Sequence, residues 1–153
     1  MLLLGAWLFA WSALMPTQWG QADAQAPRAA LVTRVIDGST LDAQVEGART
    51  PVGYLGVDTP GLNEPCGMQA LQRNLELTAN GVLLEADPLY RLDDRRRQLF
   101  YAYTADGISI DETLIHDGLG RAARTDAAHG VDLAAAEADA AASTAGCLWA
   151  AGS

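Results

Sequence analysis

The stretch ALVTRVIDGSTLDAQVEGARTPVGYLGVD, residues 30–58, decides the fold. It contains three runs rich in β-branched and aromatic residues, separated by glycine-containing turns, and so predicts a three-strand meander. Val35, Leu41, Ala43 and Val45 recur with period two, the apolar face of half-buried strands. Beyond it, CGMQALQRNLELTANG (66–81) changes to helical spacing, with Leu71, Leu75 and Ala79 on one face and Asn80-Gly81 as a stop. VLLEAD (82–87) and RQLFYAYT (97–104) read as two more strands, joined by the charged loop PLYRLDDRR (88–96). SIDETLIHDG (109–118) opens on a Ser109/Glu112 capping box and ends at Gly118. An alanine-rich segment from about Val131 to Ala145, stopped at Gly146, predicts a last helix. The order is β-β-β-α-β-β-α-α. Five strands can close a small barrel, which removes exposed edges, so the expected class is α+β: a five-stranded OB-like barrel with three helices.

On the other side of the meander the sequence changes character. LLLGAWLFAWSALM (2–15) is uninterrupted and apolar; polar PTQWGQ and then ADAQA follow, the latter with two small-x-small patterns. This outlines a secretory signal peptide over 1–26, cleaved near Ala24 or Ala26, although no Lys or Arg precedes Arg28. It is short for a membrane span and carries no Cys for a lipid anchor. The plain alternative is an uncleaved anchor or a buried N-terminal helix. The expected organisation is therefore an exported protein, periplasmic or extracellular, with one domain over 27–153 and no membrane span once processed.

Half of the 153 residues are hydrophobic and 19% are charged, a globular composition with room for a single core. The net charge is −9, and every basic residue is arginine. Proteins that grip polyanions usually present a basic face, so this balance counts against nucleic acid as the main partner while leaving room for a local arginine cluster. Two cysteines, Cys66 and Cys147, read as one disulfide in an oxidising compartment, which would stabilise by roughly 4 kcal/mol; two buried thiols are the alternative. A zinc site from Cys66, His116, His129 and Cys147 would need tighter spacing, and both histidines read as surface residues.

VTRVIDGSTLDAQV, VGYLGVDTPG, GMQA, RRRQLFYAYTADGISIDETLIHDGLGRA and GCLW follow one another as in the staphylococcal-nuclease, or thermonuclease, family, which the chain resembles from about Leu31 to Trp149. No single motif is decisive, but the ordered series is specific. The resemblance implies an OB barrel with three helices and a Ca2+-dependent hydrolysis of DNA and RNA phosphodiesters. That chemistry uses a metal held by two aspartates and a threonine carbonyl, a glutamate that activates water, and two arginines that stabilise phosphoryl charge.

Carried over by position, Asp58 and Thr59 are the metal-binding residues and Asp37 an outer carboxylate. Ser39 stands where the second metal aspartate belongs. Gly53 occupies the position of the first arginine and Gly61 that of the glutamate. Arg97 is the retained second arginine; otherwise Arg95-Arg96-Arg97 would read as a solvated run beside Asp93 and Asp94. Glu64 is the nearest replacement carboxylate, useful only if its loop folds back. Ca2+ binding is expected to be weak or lost.

The expectation is a catalytically impaired pseudo-nuclease kept as a binding or structural module, monomeric, with an envelope protein or another ligand as partner. The alternatives are a weak Ca2+-dependent nuclease using Asp58, Arg97 and Glu64, and a nucleic-acid binder without catalysis. Tyr54, Tyr101 and Tyr103 outline a possible partner face on the barrel, against the simpler reading that they belong to the core or its rim.

Overall fold

The computed structural model describes residues 26–150, so the leader read in the sequence lies outside the described residues. The first strand, β1 (Arg28–Asp37), turns at Gly38-Ser39 into β2 (Thr40–Val45), its antiparallel partner. β2 returns as β3 (Ala48–Tyr54) through Glu46-Gly47, with φ of 52° and 82°. Two positive φ values in a two-residue loop define a type I′ hairpin, whose twist matches that of the flanking strands.

After β4 (Val57–Asp58) and α1 (Gly67–Leu77), β5 (Val82–Glu85) and β6 (Gln98–Thr104) pair antiparallel. β6 runs parallel to β3, with Gly53 opposite Leu99, while the start of β1 pairs with β5. The sheet thus closes in the order β1-β2-β3-β6-β5. Register shifts at Val32/Arg34 and Val35/Asp37 bend β1, letting one strand serve β5 at one end and β2 at the other. The five-stranded barrel is as expected.

The chain continues with α2 (Ile110–His116), β7 (Arg121–Ala122), α3 (Gly130–Ala142) and the one-turn α4 (Gly146–Trp149). The three expected helices are present; α4 and the small β4–β7 pair were not foreseen, being too short to show periodicity. α2 carries the expected cap, Ser109 Oγ accepting from Glu112 N at 3.1 Å. Among the described residues, no helix is long and apolar enough to cross a membrane.

Leu41, Val52, Val82, Leu84 and Ala102 fill the barrel, and Ile110, Leu114, Ile115 and Leu133 seal it from the helices. Each such side chain contributes about 1.5–3 kcal/mol by leaving water. Tyr54 and Tyr101 are 5% and 3% exposed and belong to this core, while Tyr103 lies at its rim. That corrects the reading of the three tyrosines as a partner face. His129 is also corrected: half-buried, it stacks edge-on against Tyr101 with ring centres 4.5 Å apart, and Nε2 lies 3.1 Å from Glu85. His116 is exposed beside Glu112.

The buried face of α1 is Gly67, Ala70 and Asn74, continued by Thr78. Leu75 is 44% exposed and Ala79 is exposed, so the predicted stripe was displaced by one position. The reason is polar and local. Asn74 accepts from Tyr54 OH at 2.7 Å and donates to the Asp37 carbonyl at 2.9 Å, anchoring the helix by hydrogen bonds where leucines would have packed. At its start the helix approaches the preceding loop so closely that a Cβ on Gly67 would lie 1.9 Å from the Gly61 carbonyl oxygen.

Asp111, in the first turn of α2, is buried and accepts from Gly56 N and Ala102 N, both at 2.8 Å. Burial pushes its carboxyl up to about 6, against the opposing pull of those two N–H donors. The folded state therefore holds this proton more tightly than the unfolded chain does, and the group's contribution falls as pH rises from about 4 through 6. The expected result is that Asp111→Asn improves relative to the unmodified protein by about 2 kcal/mol between pH 4.5 and pH 7. Urea unfolding at both pH values measures the gap; a constant gap would show that Asp111 does not titrate in this range.

Candidate active site

One end of the barrel gathers the residues singled out in the sequence. The β1–β2 turn contributes Asp37, Ser39 and Thr40; β4 and the residue after it contribute Asp58 and Thr59; the β5–β6 loop contributes Asp93, Asp94, Arg95 and Arg97. With Gly61 they line a recess of about 380 Å3. A neighbouring recess of about 200 Å3 is bounded by Gly53, Asp58, Asp93, Arg97 and Arg124.

Arg97 is turned inward, as the alignment by position required. Its side chain is 26% exposed, Nε donates to Asp93 Oδ2 at 2.5 Å and Nη1 to Thr40 Oγ1 at 2.5 Å. Burial would raise the Asp93 carboxyl, but hydrogen bonds from the Arg97 backbone and side chain and from Arg95 N outweigh it and hold it below the ordinary carboxylate value. Arg95 and Arg96 remain exposed. The same loop places Arg96 at φ 62°, which turns the chain between its two neighbours.

The prospective metal positions are arranged differently from a cation cage. Thr59 Oγ1 donates to Ser39 Oγ at 3.1 Å, a contact between side chains that does not involve the Thr59 carbonyl. Asp37 Oδ1 accepts from Ser39 N at 2.9 Å within its own turn. Asp58 is exposed, and no group of three or more His, Cys, Asp or Glu able to hold a metal occurs among the described residues. Calcium sites take six to eight oxygens and derive their affinity from carboxylate charge. Of the carboxylates at the recess, Asp37 is engaged by its own turn and Asp93 by Arg97, and Asp58 has a serine at position 39 in place of a second ligand carboxylate, so the set fits Ca2+ poorly.

No family model matches the chain. The chain is 42% identical over 97 residues to Endonuclease YncB of Bacillus subtilis (strain 168), a match that covers 59% of this chain and 46% of that protein. It is 40% identical over 97 residues to the SPbeta prophage-derived endonuclease YokF of the same organism, covering 59% of this chain and 32% of that one. Both of these relatives are named endonucleases. The match spans less than half the length of either of these curated relatives.

Within this barrel the two glycines leave different imprints. A Cβ built on Gly53 would lie 3.6 Å from the Arg97 guanidinium carbon and 3.2 Å from a Leu99 methyl, so the missing side chain is a notch directly beside Arg97. At Gly61 an added Cβ would be in ordinary contact with the Glu64 side chain. The loop folds back through Glu64 N to Gly61 O at 2.9 Å, and Glu64 Oε2 accepts from Gly61 N at 2.8 Å. The Glu64 carboxyl carbon then lies 3.7 Å from where a Gly61 Cβ would stand. Glu64 is thus held at the Gly61 backbone, exposed, and is not among the residues that line either recess.

The expected disulfide joins Cys66 to Cys147 with Cα atoms 5.7 Å apart. It fixes the segment right after Glu64 to α4. Arg124 is the site residue that the sequence gave no reason to choose. It follows β7 as an isolated arginine between Ala123 and Thr125, and only the β4–β7 pairing brings it to Asp58 and Gly53.

Proposed function

We propose that this is an exported, nucleic-acid-directed domain that keeps the architecture of a phosphodiester-cutting barrel and has lost most of its hydrolytic power. One observation carries the proposal: beside Asp58 the recess presents the Ser39 hydroxyl, bonded to Thr59 Oγ1, where the resemblance calls for a second metal-binding carboxylate. The glycines at 53 and 61 add the absence of a charge-stabilising arginine and a general-base glutamate. Losing one preorganised charge-stabilising group costs about 10²- to 10³-fold, and losing general-base assistance about 10²- to 10⁴-fold. Residues that act as a unit do not lose additively, yet even the smaller figures together remove most of an enzyme-scale acceleration.

The names of the relatives, both endonucleases, favour nucleic acid as the ligand class. So does the placement of charge. Arg28, Arg34, Arg49, Arg73, Arg97 and Arg121 each have a carboxylate within ion-pair distance. The other arginines, Arg91, Arg95, Arg96 and Arg124, have none among the described residues; Arg95 and Arg124 line the two recesses, whereas Arg91 lies beside Arg28 and Glu46 towards the other end of the barrel. An acidic protein thus keeps two unpaired arginines, Arg95 and Arg124, at the recess.

The position of Glu64 favours a second reading, a weak Ca2+-dependent nuclease in which Asp58, Arg97 and Glu64 do the work. Cleavage of a labelled single strand in Ca2+ and in EDTA separates the two. The proposal expects equal, background rates; Ca2+-dependent cleavage that disappears in Glu64→Gln would establish the second reading instead.

A further inference from the structure

We infer that Arg124 is the second guanidinium of the recess, entering the notch beside Gly53 so that it and Arg97 together take a phosphodiester group of a nucleic-acid strand. The inference rests on the proposed nucleic-acid ligand and adds the residue that replaces the arginine missing at position 53.

Four observations lead to it. Arg124 and Arg97 line the same 200 Å3 recess, and Gly53 forms part of its wall. Arg124 has no carboxylate within ion-pair distance among the described residues, whereas Arg97 commits Nε to Asp93 and Nη1 to Thr40, leaving its other terminal nitrogen outside those two bonds. The Arg124 guanidinium carbon lies 4.8 Å from the Tyr90 ring centre, so the fork is held by stacking rather than neutralised. Tyr90 is itself fixed, its hydroxyl bonded to Asp126 and its N–H to Asp87. Finally, Arg124 sits at φ 53° and its carbonyl accepts from Ala127 N at 3.0 Å. A non-glycine residue held in the left-handed region costs roughly 1–3 kcal/mol and occurs often at ligand sites.

The charges in the recess set the strength. Asp93 is compensated by Arg97, and Asp58 faces the same space as Arg124. A phosphate there meets two guanidinium groups and one free carboxylate, so binding should be modest and strongly dependent on salt. Planar forks suit phosphate oxygens better than a lysine ammonium does.

The test is fluorescence anisotropy of a short labelled oligothymidylate with the full domain, in EDTA across a salt series. Arg124→Ala is expected to weaken binding about tenfold and to reduce the salt slope by about one. Arg124→Lys should keep the slope and recover only part of the affinity. Gly53→Arg supplies a guanidinium to the notch, so Arg124→Ala should cost much less in that background than in the unmodified chain. An equal cost in both backgrounds, or no cost in either, would overturn the assignment while leaving the nucleic-acid reading intact. No binding by the unmodified domain would remove both.

Discussion

Combining Ser39→Asp, Gly53→Arg and Gly61→Glu in one chain is expected to raise Ca2+-dependent DNA cleavage by at least about 10³-fold. The structure has room for all three. Gly53 and Gly61 both lie outside the left-handed region, so neither backbone demands glycine. At position 53 the tightest neighbour is the end of the Leu99 side chain, 3.2 Å from the new Cβ, and the rest of an arginine can extend along the open notch. At position 61 a glutamate meets the Glu64 carboxylate at 3.7 Å, and that side chain is exposed and free to swing into solvent. At position 39 an aspartate replaces the hydroxyl that bonds Thr59 and adds a further carboxylate to the recess that holds Asp58. Each substitution restores one function, so the single changes should help little and the triple change disproportionately. Single-turnover assays of the seven combinations would show this. If the triple variant cuts no faster than its parent, the defect lies beyond these three side chains.

The other large effect concerns stability. Cys66→Ser with Cys147→Ser is expected to lower the unfolding free energy by about 4 kcal/mol, because the disulfide closes a sequence separation of 81 residues. For a domain of this size that corresponds to a fall of roughly 10–20 °C in Tm. The loss should reach the recess. Cys66 caps α1 at φ 72° with no side-chain cap bond, and Gly67 N donates to Glu64 O at 3.1 Å. Without the bridge, the turn that presents Glu64 to Gly61 loses its anchor to α4. Trp149, packed 4.3 Å from the Arg121 guanidinium, stands in the same helix as Cys147 and reports on that end of the molecule. Thermal unfolding followed by circular dichroism, with and without reductant, measures the effect. A change below about 1 kcal/mol would mean that α1 and α4 are held by packing alone.

The barrel was legible because its signals are periodic. The alternation of Leu41, Ala43 and Val45, and the turn at Glu46-Gly47, specify the meander with little help from the rest of the chain. α1 shows where that logic fails. Three leucine and alanine positions mark a helix face by spacing, but the buried face belongs to Asn74, whose two hydrogen bonds to Tyr54 and Asp37 have no periodic signature. The tyrosines were ambiguous for a related reason. Strand parity alone does not separate core from rim: Tyr101 and Tyr103 stand two residues apart in β6, yet Tyr101 is in the core and Tyr103 at its edge.

The site divides in the same way. Asp58, Thr59, Ser39 and Arg97 could be placed from contiguous motifs, and the recess brings them together. The fold-back of Glu64 depends on the Gly61 turn and on the close approach of α1 at Gly67, both properties of the folded loop. Arg124 could not be found at all from its neighbours. Its relation to Gly53 is created by strand pairing between segments more than 60 residues apart.

The measurement that bears most directly on this account is the single-turnover rate of DNA cleavage by the unmodified domain in saturating Ca2+, set beside that of Arg97→Ala. The account predicts two rates that cannot be told apart, because the retained arginine has too few partners to act with. A parent that cuts 100-fold or more faster than Arg97→Ala would contradict it, and would mean that Glu64 and Arg124 already rebuild what the glycines at 53 and 61 gave up.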